Sequence, residues 1–217
     1  MTNTMDGQYA ACRVVCLGGK GRNDSVYMKD KLPSAFDLCF ADKEPPGEGI
    51  PLAVPHLWRL RNADPDPIEL GEFEAGLPTL LEGTDKLFIV LGFGGKTGTQ
   101  LCLRLAKAAQ QKAVPTFCFA SLPFGFEGAR ISMTKKAMVE LAPYINALFT
   151  FGNDELIKTL RSSIKLNKAF EAQHQWLLQA IFSVNEKLAS GGVGVAGWPP
   201  HLNQIELGDG RPIEEYF

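Results

Sequence analysis

Five short apolar runs recur along the chain, and segments with helical spacing lie between them. The runs at 86–91 and 115–120 are almost entirely apolar, as expected for strands buried on both faces of a parallel sheet. The predicted strands are 12–17, 35–41, 86–91, 115–120 and 146–151. Strands that alternate with helices predict an α/β fold with a Rossmann-like, doubly wound, mostly parallel sheet.

Helical periodicity is found between the strands and after the last of them. In the longest helical segment, Phe170, Leu177 and Ile181 belong to an apolar stripe near the helical period. Asn23 or Asp24 is predicted to cap the first helix. The predicted helices are 24–31, 69–81, 97–112, one that begins at Ser132 or Thr134 and ends before Pro143, and 165–188.

Two stretches depart from this alternation. Residues 43–66 are rich in proline and are predicted to be an irregular excursion with a short ordered piece around 56–61. Residues 190–200 form a glycine- and proline-rich break, and 201–217 is predicted to form one strand or a docked tail. We therefore predict one domain at 10–189, which includes the long helix, and a tail at 190–217 with no second domain.

The composition excludes several classes of protein. With 45% hydrophobic and 21% charged residues, the 217-residue chain resembles a soluble globular protein. Its net charge of −2 gives no support for nucleic-acid binding. No apolar run is long enough to form a transmembrane segment, and the polar N-terminus is unlike a signal peptide. The five cysteines, odd in number and mostly in apolar patterns, indicate reduced thiols and a cytoplasmic protein.

A glycine-rich turn with the sequence GFGGKTGTQ follows the strand at 86–91 and leads into the helix at 97–112. The first N–H groups of a helix have no intrahelical partner and carry partial positive charge, and glycine lets a ligand approach the backbone closely. Thr97 and Thr99 add hydroxyl donors, and Lys96 adds a full charge. This combination favours phosphate binding over a role in packing alone.

The turn has neither the spacing of a Walker A loop nor that of the GxGxxG dinucleotide fingerprint. It resembles the GGGTGTG signature of the tubulin/FtsZ superfamily, written here as GGKTGTQ at 94–100. The resemblance continues in register with GGKGRN at 18–23, LPFGFEG at 122–128 and FGNDEL at 151–156. Phe170 then stands where the family's central helix carries a phenylalanine. The chain is identified as a divergent FtsZ-like member of this superfamily, with the fold of its N-terminal nucleotide-binding domain.

The resemblance implies a site for a guanine nucleotide, GTP or GDP, with Mg²⁺ as its companion ion. The two glycine turns would hold the phosphates, and Glu127 would reach the ribose. Arg130, which stands one position away from the family's arginine, would reach the phosphates. Asp42 is either an acidic residue near the phosphates or ribose, or an exposed loop acid.

The base would be contacted by the last strand loop and the central helix. Asn153 would read the base edge or cap the helix that follows it, and Phe170 would stack on the base. His174 and Gln175 stand where the family has Asn and Asp, which weakens selectivity for guanine. The predicted nucleotide-binding residues are Gly18, Gly19, Lys20, Gly21, Asn23, Gly94, Gly95, Lys96, Thr97, Gly98, Thr99, Glu127, Arg130, Asn153, Phe170, His174 and Gln175.

Hydrolysis in the family needs acidic residues that a neighbouring subunit supplies from a loop after the central helix. Here that loop reads GGVGVAG at 191–197 and carries no acid. Because the attacking water then lacks a proton acceptor, we predict nucleotide binding with weak or no intrinsic GTP hydrolysis, although the family is one of GTPases. No catalytic residue and no metal-ligating residue is assigned.

The family resemblance also implies a cellular role and partners. It suggests filament assembly, cell division or membrane remodelling, through self-association or with a full-length FtsZ-like partner. The alternative is a degenerate, nucleotide-free interaction module that regulates a full-length homologue.

Overall fold

A computed structural model describes residues 12–42, 57–59, 65–154, 166–190 and 203–205 of the chain. The strands are β1 (Cys12–Leu17), β2 (Phe36–Asp42), β3 (Leu57–Arg59), β4 (Lys86–Gly92), β5 (Thr116–Leu122), β6 (Ala147–Gly152) and β7 (Asn203–Ile205). They form one sheet in the order β3-β2-β1-β4-β5-β6-β7. All neighbouring pairs are parallel except β6 and β7, which are antiparallel.

Helices cover both faces of the sheet. They are α1 (Gly18–Met28), α2 (Pro67–Leu80), α3 (Lys96–Gln111), α4 (Gly128–Leu141) and α5 (Leu166–Ala189). One core joins α2, α3 and α4 to side chains such as Val15 and Ile89, and the other joins α1 and α5 to their strand neighbours Val14 and Phe88. Since alternate strand residues point to opposite faces, the continuous apolar runs supply both cores. The predicted doubly wound α/β fold is confirmed.

The five predicted strands are confirmed to within two residues at each end. The excursion contains the short strand β3, and the tail contains β7. The start of α1 was predicted wrongly, because the helix begins at Gly18 and not after residue 23. Gly18 has φ +71, a left-handed conformation that glycine adopts at low cost, so the chain turns from β1 straight into the helix. The α4 helix also begins earlier than predicted, at Gly128.

Gly21 allows α1 to lie directly on the sheet. A Cβ atom added there would lie 2.8 Å from the carbonyl carbon of Cys16 and 3.2 Å from the carbonyl oxygen of Val90. Both obstacles are backbone atoms of paired strands, so they have little freedom to move. The close approach of α1 to the sheet therefore depends on glycine, with no side chain, at position 21.

We expect Gly21→Ala to lower the free energy of unfolding by about 1–3 kcal/mol, the usual cost of overpacking. Gly71→Ala is the control, because Gly71 lies in the exposed part of α2 with nothing within 4 Å of an added Cβ. That variant should gain about 0.5–1 kcal/mol from the helix propensity of alanine. Urea unfolding followed by circular dichroism measures both, and a Gly21→Ala variant as stable as Gly71→Ala would contradict the packing.

All five cysteines are free and buried. Burial raises the pKa of the Cys39 thiol to about 12 and raises the pKa of the Cys16 and Cys118 thiols well above the ordinary value. These three thiols stay protonated at neutral pH and are poor nucleophiles and poor metal ligands. Within the described residues, no helix combines the length and hydropathy needed to cross a membrane.

Candidate functional site

A cavity of about 430 Å³ opens at the carboxyl ends of the parallel strands. Ligands of open α/β sheets bind at this edge, where the loops between strands and helices converge. The volume lies within the range of pockets that hold small molecules and cofactors. The lining residues are Leu17, Gly18, Gly19, Lys20, Arg22, Asp42, Gly92, Phe93, Gly95, Lys96, Thr97, Gly98, Ser121, Leu122, Pro123, Glu127, Arg130, Asn153 and Phe170.

The two glycine turns meet in one wall of this cavity. A Cβ atom added to Gly18 would lie 3.0 Å from both the Cα and the backbone nitrogen of Gly98. A Cβ atom added to Gly98 would lie 3.1 Å from the carbonyl oxygen of Leu17. Turns that are 80 residues apart in the sequence therefore touch backbone to backbone, and any side chain at Gly18 or Gly98 would separate them.

The helices that follow the two turns point their N-termini at the cavity. Among the described residues, no side chain caps α1 after Leu17 or α3 after Gly95, and neither first turn contains an acidic residue. In contrast, α2 lies away from the cavity and has a complete capping box, in which Asp66 accepts from Ile68 and Glu69. First-turn N–H groups that have no intrahelical partner and the positive ends of two helix dipoles thus favour an anion here.

Four cationic side chains line the cavity, namely Lys20, Arg22, Lys96 and Arg130. Carboxylates of the chain lie against Lys20 and Arg130. Lys20 pairs with Asp24, which is only 1% exposed. Arg130 donates to Glu127 at 2.8 Å on an exposed surface, where such a pair contributes little to stability. The cavity therefore carries a positive potential that is partly offset by acids of the chain itself.

The segment after β5 is held by a closed set of hydrogen bonds around Glu127. The Oε2 atom of Glu127 accepts from the backbone N–H of Phe124 at 3.0 Å, and Oε1 accepts from Arg130. Gly94 makes room for this arrangement, because it has φ +84 and a Cβ there would lie 2.8 Å from the Cβ of Arg130. The carboxylate of Asp154 accepts from the N–H of Gly125 at 2.7 Å. The loop is thus fixed against both α4 and the end of β6.

The other end of the cavity is lined by Asn153 and Phe170. The Asn153 Oδ1 atom accepts from Gln173 Nε2 at 3.1 Å. His174 is turned elsewhere, because its Nε2 lies 3.1 Å from Asp24 Oδ1 and its ring packs 4.9 Å from that of Tyr27. An aromatic ring beside an amide is a suitable surface for a planar heterocycle.

The structure brings together eleven of the predicted site residues and leaves six outside the lining. The six are Gly21, Asn23, Gly94, Thr99, His174 and Gln175. Gly21 and Gly94 give room for packing, and His174 is engaged by Asp24. Asn23 and Gln175 are exposed to solvent, and Thr99 is the fourth residue of α3, with its N–H donated to the carbonyl of Gly95 at 3.4 Å.

Three polar lining residues were not in the predicted set, namely Arg22, Asp42 and Ser121. For Asp42 the sequence left open an acid near the phosphates or ribose and an exposed loop acid; it is the last residue of β2 and is 3% exposed, which excludes the exposed loop acid. Ser121 lies near the carboxyl end of β5. A polar residue at that end of a parallel strand could have been predicted to line the site. Arg22 belongs to the turn GGKGRN at 18–23, whose other five residues were all in the predicted set.

The donor set suits a phosphorylated ligand better than a metal ion bound directly by side chains. Within the described residues, no group of three or more His, Cys, Asp or Glu side chains could hold a metal ion. The two glycine positions in mutual contact, the uncapped helix ends and the lysines are instead the features of a phosphate cradle. A cation would fit here when phosphate oxygens and water supply most of its ligands.

Comparison with known proteins places this geometry in context. Residues 71–161 match the family model described as Tubulin/FtsZ family, GTPase domain. The chain is 33% identical over 138 residues to the cell division protein FtsZ of Buchnera aphidicola, which covers 63% of this chain and 34% of that protein. It is 28% identical over 189 residues to FtsZ of Neisseria gonorrhoeae, and the match covers 82% of this chain and 48% of that protein. The chain thus spans between a third and a half of these relatives' length.

Solved structures give the same picture for the fold. An FtsZ dimer from M. jannaschii superposes with a TM-score of 0.66 at 19% identity, over 87% of this chain and 58% of that one. CetZ from Methanosaeta thermophila superposes with a TM-score of 0.62 at 15% identity, over 85% and 56%. At such identities the likeness concerns the arrangement of strands and helices.

Proposed function

Because this chain is an FtsZ-like member of the tubulin/FtsZ superfamily, we propose that it binds a guanine nucleotide, GTP or GDP, in the cavity at the strand ends. The observation that carries the proposal is the backbone contact between Gly18 and Gly98, which brings two uncapped helix N-termini to one cavity. The domain at 10–189 would form the nucleotide-binding unit. The tail at 190–217 lies mostly outside the described residues.

Each part of the nucleotide has a matching part of the cavity. The phosphates would be bound by the backbone of the two turns, with Lys96 and Arg22 supplying charge. The base would lie against Phe170 and reach the amide of Asn153. A Mg²⁺ ion would accompany a triphosphate and would be held mainly by phosphate oxygens and water. The chain's own part is to orient the phosphates and neutralise them.

The test is calorimetry with GTP, GDP and ATP on the purified protein. We expect at least one guanine nucleotide to bind with a dissociation constant in the micromolar range. If none of the three binds below millimolar concentration, the proposal fails. Mass spectrometry of gently purified protein provides an independent check, since a tightly bound nucleotide would be purified with the chain.

A second candidate function is a nucleotide-free interaction module that regulates a full-length homologue. The pairing of Lys20 with Asp24 and of Arg130 with Glu127 favours it, because both cations already have partners without a ligand. The two functions differ in their dependence on nucleotide. If the chain associates with an FtsZ-like partner equally well after all nucleotide is removed, that result supports the interaction module. A role in filament assembly or cell division is proposed under either function.

Lys96 provides a direct test of the phosphate cradle. It is the first residue of α3 and lines the cavity, so its charge should contribute to phosphate binding. Lys96→Ala should weaken GTP binding by about 1–3 kcal/mol, as for a charged hydrogen bond. Lys107→Ala is the matched control, because Lys107 lies on the same helix and is exposed outside this cavity. Equal affinities of the two variants would show that the Lys96 charge is not used.

A further inference from the structure

The amide of Asn153 has a fixed direction. Asn153 follows β6 and lines the cavity beside Phe170. Its Oδ1 atom accepts a hydrogen bond of 3.1 Å from Nε2 of Gln173, a residue of α5 that is only 2% exposed. The Oε1 atom of Gln173 is buried and has no hydrogen-bond partner among the described residues. Gln173 therefore acts on Asn153 as a donor.

The direction of this hydrogen bond decides what Asn153 can offer a ligand. An amide has one acceptor oxygen and one donor NH₂ group. Because the oxygen is taken by Gln173, the NH₂ group is the part left to face the cavity. A 6-oxopurine such as guanine carries an acceptor, O6, where a 6-aminopurine such as adenine carries a donor, N6. A donor from the protein suits the first and opposes the second.

The other candidates for reading the base are occupied or remote. His174 is held by Asp24 and packs on Tyr27, and Gln175 is exposed and does not line the cavity. The residues where base selectivity was expected from sequence are therefore not placed to supply it. Within the described part of the chain, Asn153 is the amide that lines the cavity next to Phe170.

We propose that Gln173 is the positioning residue that presents the Asn153 NH₂ group to the cavity and thereby sets a preference for nucleotides with a 6-oxopurine base. This rests on the proposed function, since it concerns the base of the same nucleotide. Gln173 acts through Asn153 and does not contact the ligand. If the hydrogen bond ran the other way, the Asn153 oxygen would face the cavity and the preference would reverse.

Substitution of Gln173 can reverse that direction. A glutamate at this position has only acceptor oxygens when ionised, so in Gln173→Glu the amide of Asn153 must turn its NH₂ group toward the new carboxylate. Gln173→Met removes both donor and acceptor at similar volume and leaves Asn153 without an orienting partner. Gln179→Glu is the control, because it makes the same chemical change at an exposed position on the same helix.

The experiment measures dissociation constants for GTP, ITP and ATP by calorimetry on the four proteins. ITP keeps O6 but lacks the 2-amino group, so it isolates reading of the 6 position. We expect the wild type and Gln179→Glu to bind GTP and ITP at least about tenfold more tightly than ATP, the scale of one well-matched base contact. In Gln173→Glu that ratio should fall at least about tenfold, and in Gln173→Met it should approach one.

The ratio of affinities separates positioning by Gln173 from a general structural role, because a loss of stability would weaken the binding of all three nucleotides alike. A wild type that binds GTP and ATP equally, or a ratio unchanged in both Gln173 variants, overturns the inference and leaves the proposed function standing. A wild type that binds no nucleotide overturns both. If Gln173→Glu does not fold, Gln173→Met still decides the outcome.

Discussion

Replacing Gly18 with alanine is expected to weaken GTP binding by about 10- to 150-fold, the loss of one hydrogen bond to a charged group. Two effects combine at this position. Gly18 has φ +71, where an L side chain is strained by about 1–2 kcal/mol. In addition, its Cβ would lie 3.0 Å from the backbone of Gly98. The two turns must move apart, so their N–H groups cannot all reach the same phosphate.

Gly83→Ala is the matched control for this variant. Gly83 has φ +66, so alanine there is strained in the same way, but nothing lies within 4 Å of an added Cβ. It precedes β4, at the opposite edge of the sheet from the cavity. We expect both variants to lose stability in thermal unfolding and only Gly18→Ala to lose affinity in calorimetry. Wild-type affinity in Gly18→Ala would show that the contact between the turns does not form the phosphate site.

The strands were the most predictable part of the fold, because they are buried on both faces. In β4 and β5 most residues are apolar, and such short runs between turns are typical of strands in a parallel sheet. The order of the strands in the sheet is not contained in the runs themselves and comes from the structure. The length and position of each strand can therefore be predicted from its own residues, whereas its neighbours in the sheet cannot.

The start of α1 was not predictable from local preference, since glycine is a weak helix former. Contacts outside the segment decide the outcome: Gly21 packs on Cys16, and Asp24 is buried against Lys20 and His174. The same long-range pairing explains why His174 is not at the cavity. Its partner Asp24 is 150 positions away in the sequence, so no residue near His174 in the chain indicates the pairing.

The described carboxylates also bear on hydrolysis of a bound GTP. Among the described residues, Asp42 and Glu127 are the acids that line the cavity. Each oxygen of Glu127 already accepts one hydrogen bond, Oε2 from the N–H of Phe124 and Oε1 from Arg130, and both bonds hold the carboxylate against its own loop and helix. Asp42 is 3% exposed at the end of β2. The loop at 191–197, outside the described residues, has no acid in its sequence.

We therefore expect GTP to be hydrolysed at least about a hundredfold more slowly per bound nucleotide than by FtsZ of Neisseria gonorrhoeae assayed beside it, the usual contribution of a positioned general base. Phosphate release at saturating GTP measures the rate, with the bound fraction determined by calorimetry so that slow turnover is not confused with weak binding. Glu127→Gln should change this rate by less than about threefold, because the amide oxygen can still accept from Phe124. A wild-type rate within tenfold of that FtsZ would contradict slow hydrolysis, and a further hundredfold loss in Glu127→Gln would identify Glu127 as the base.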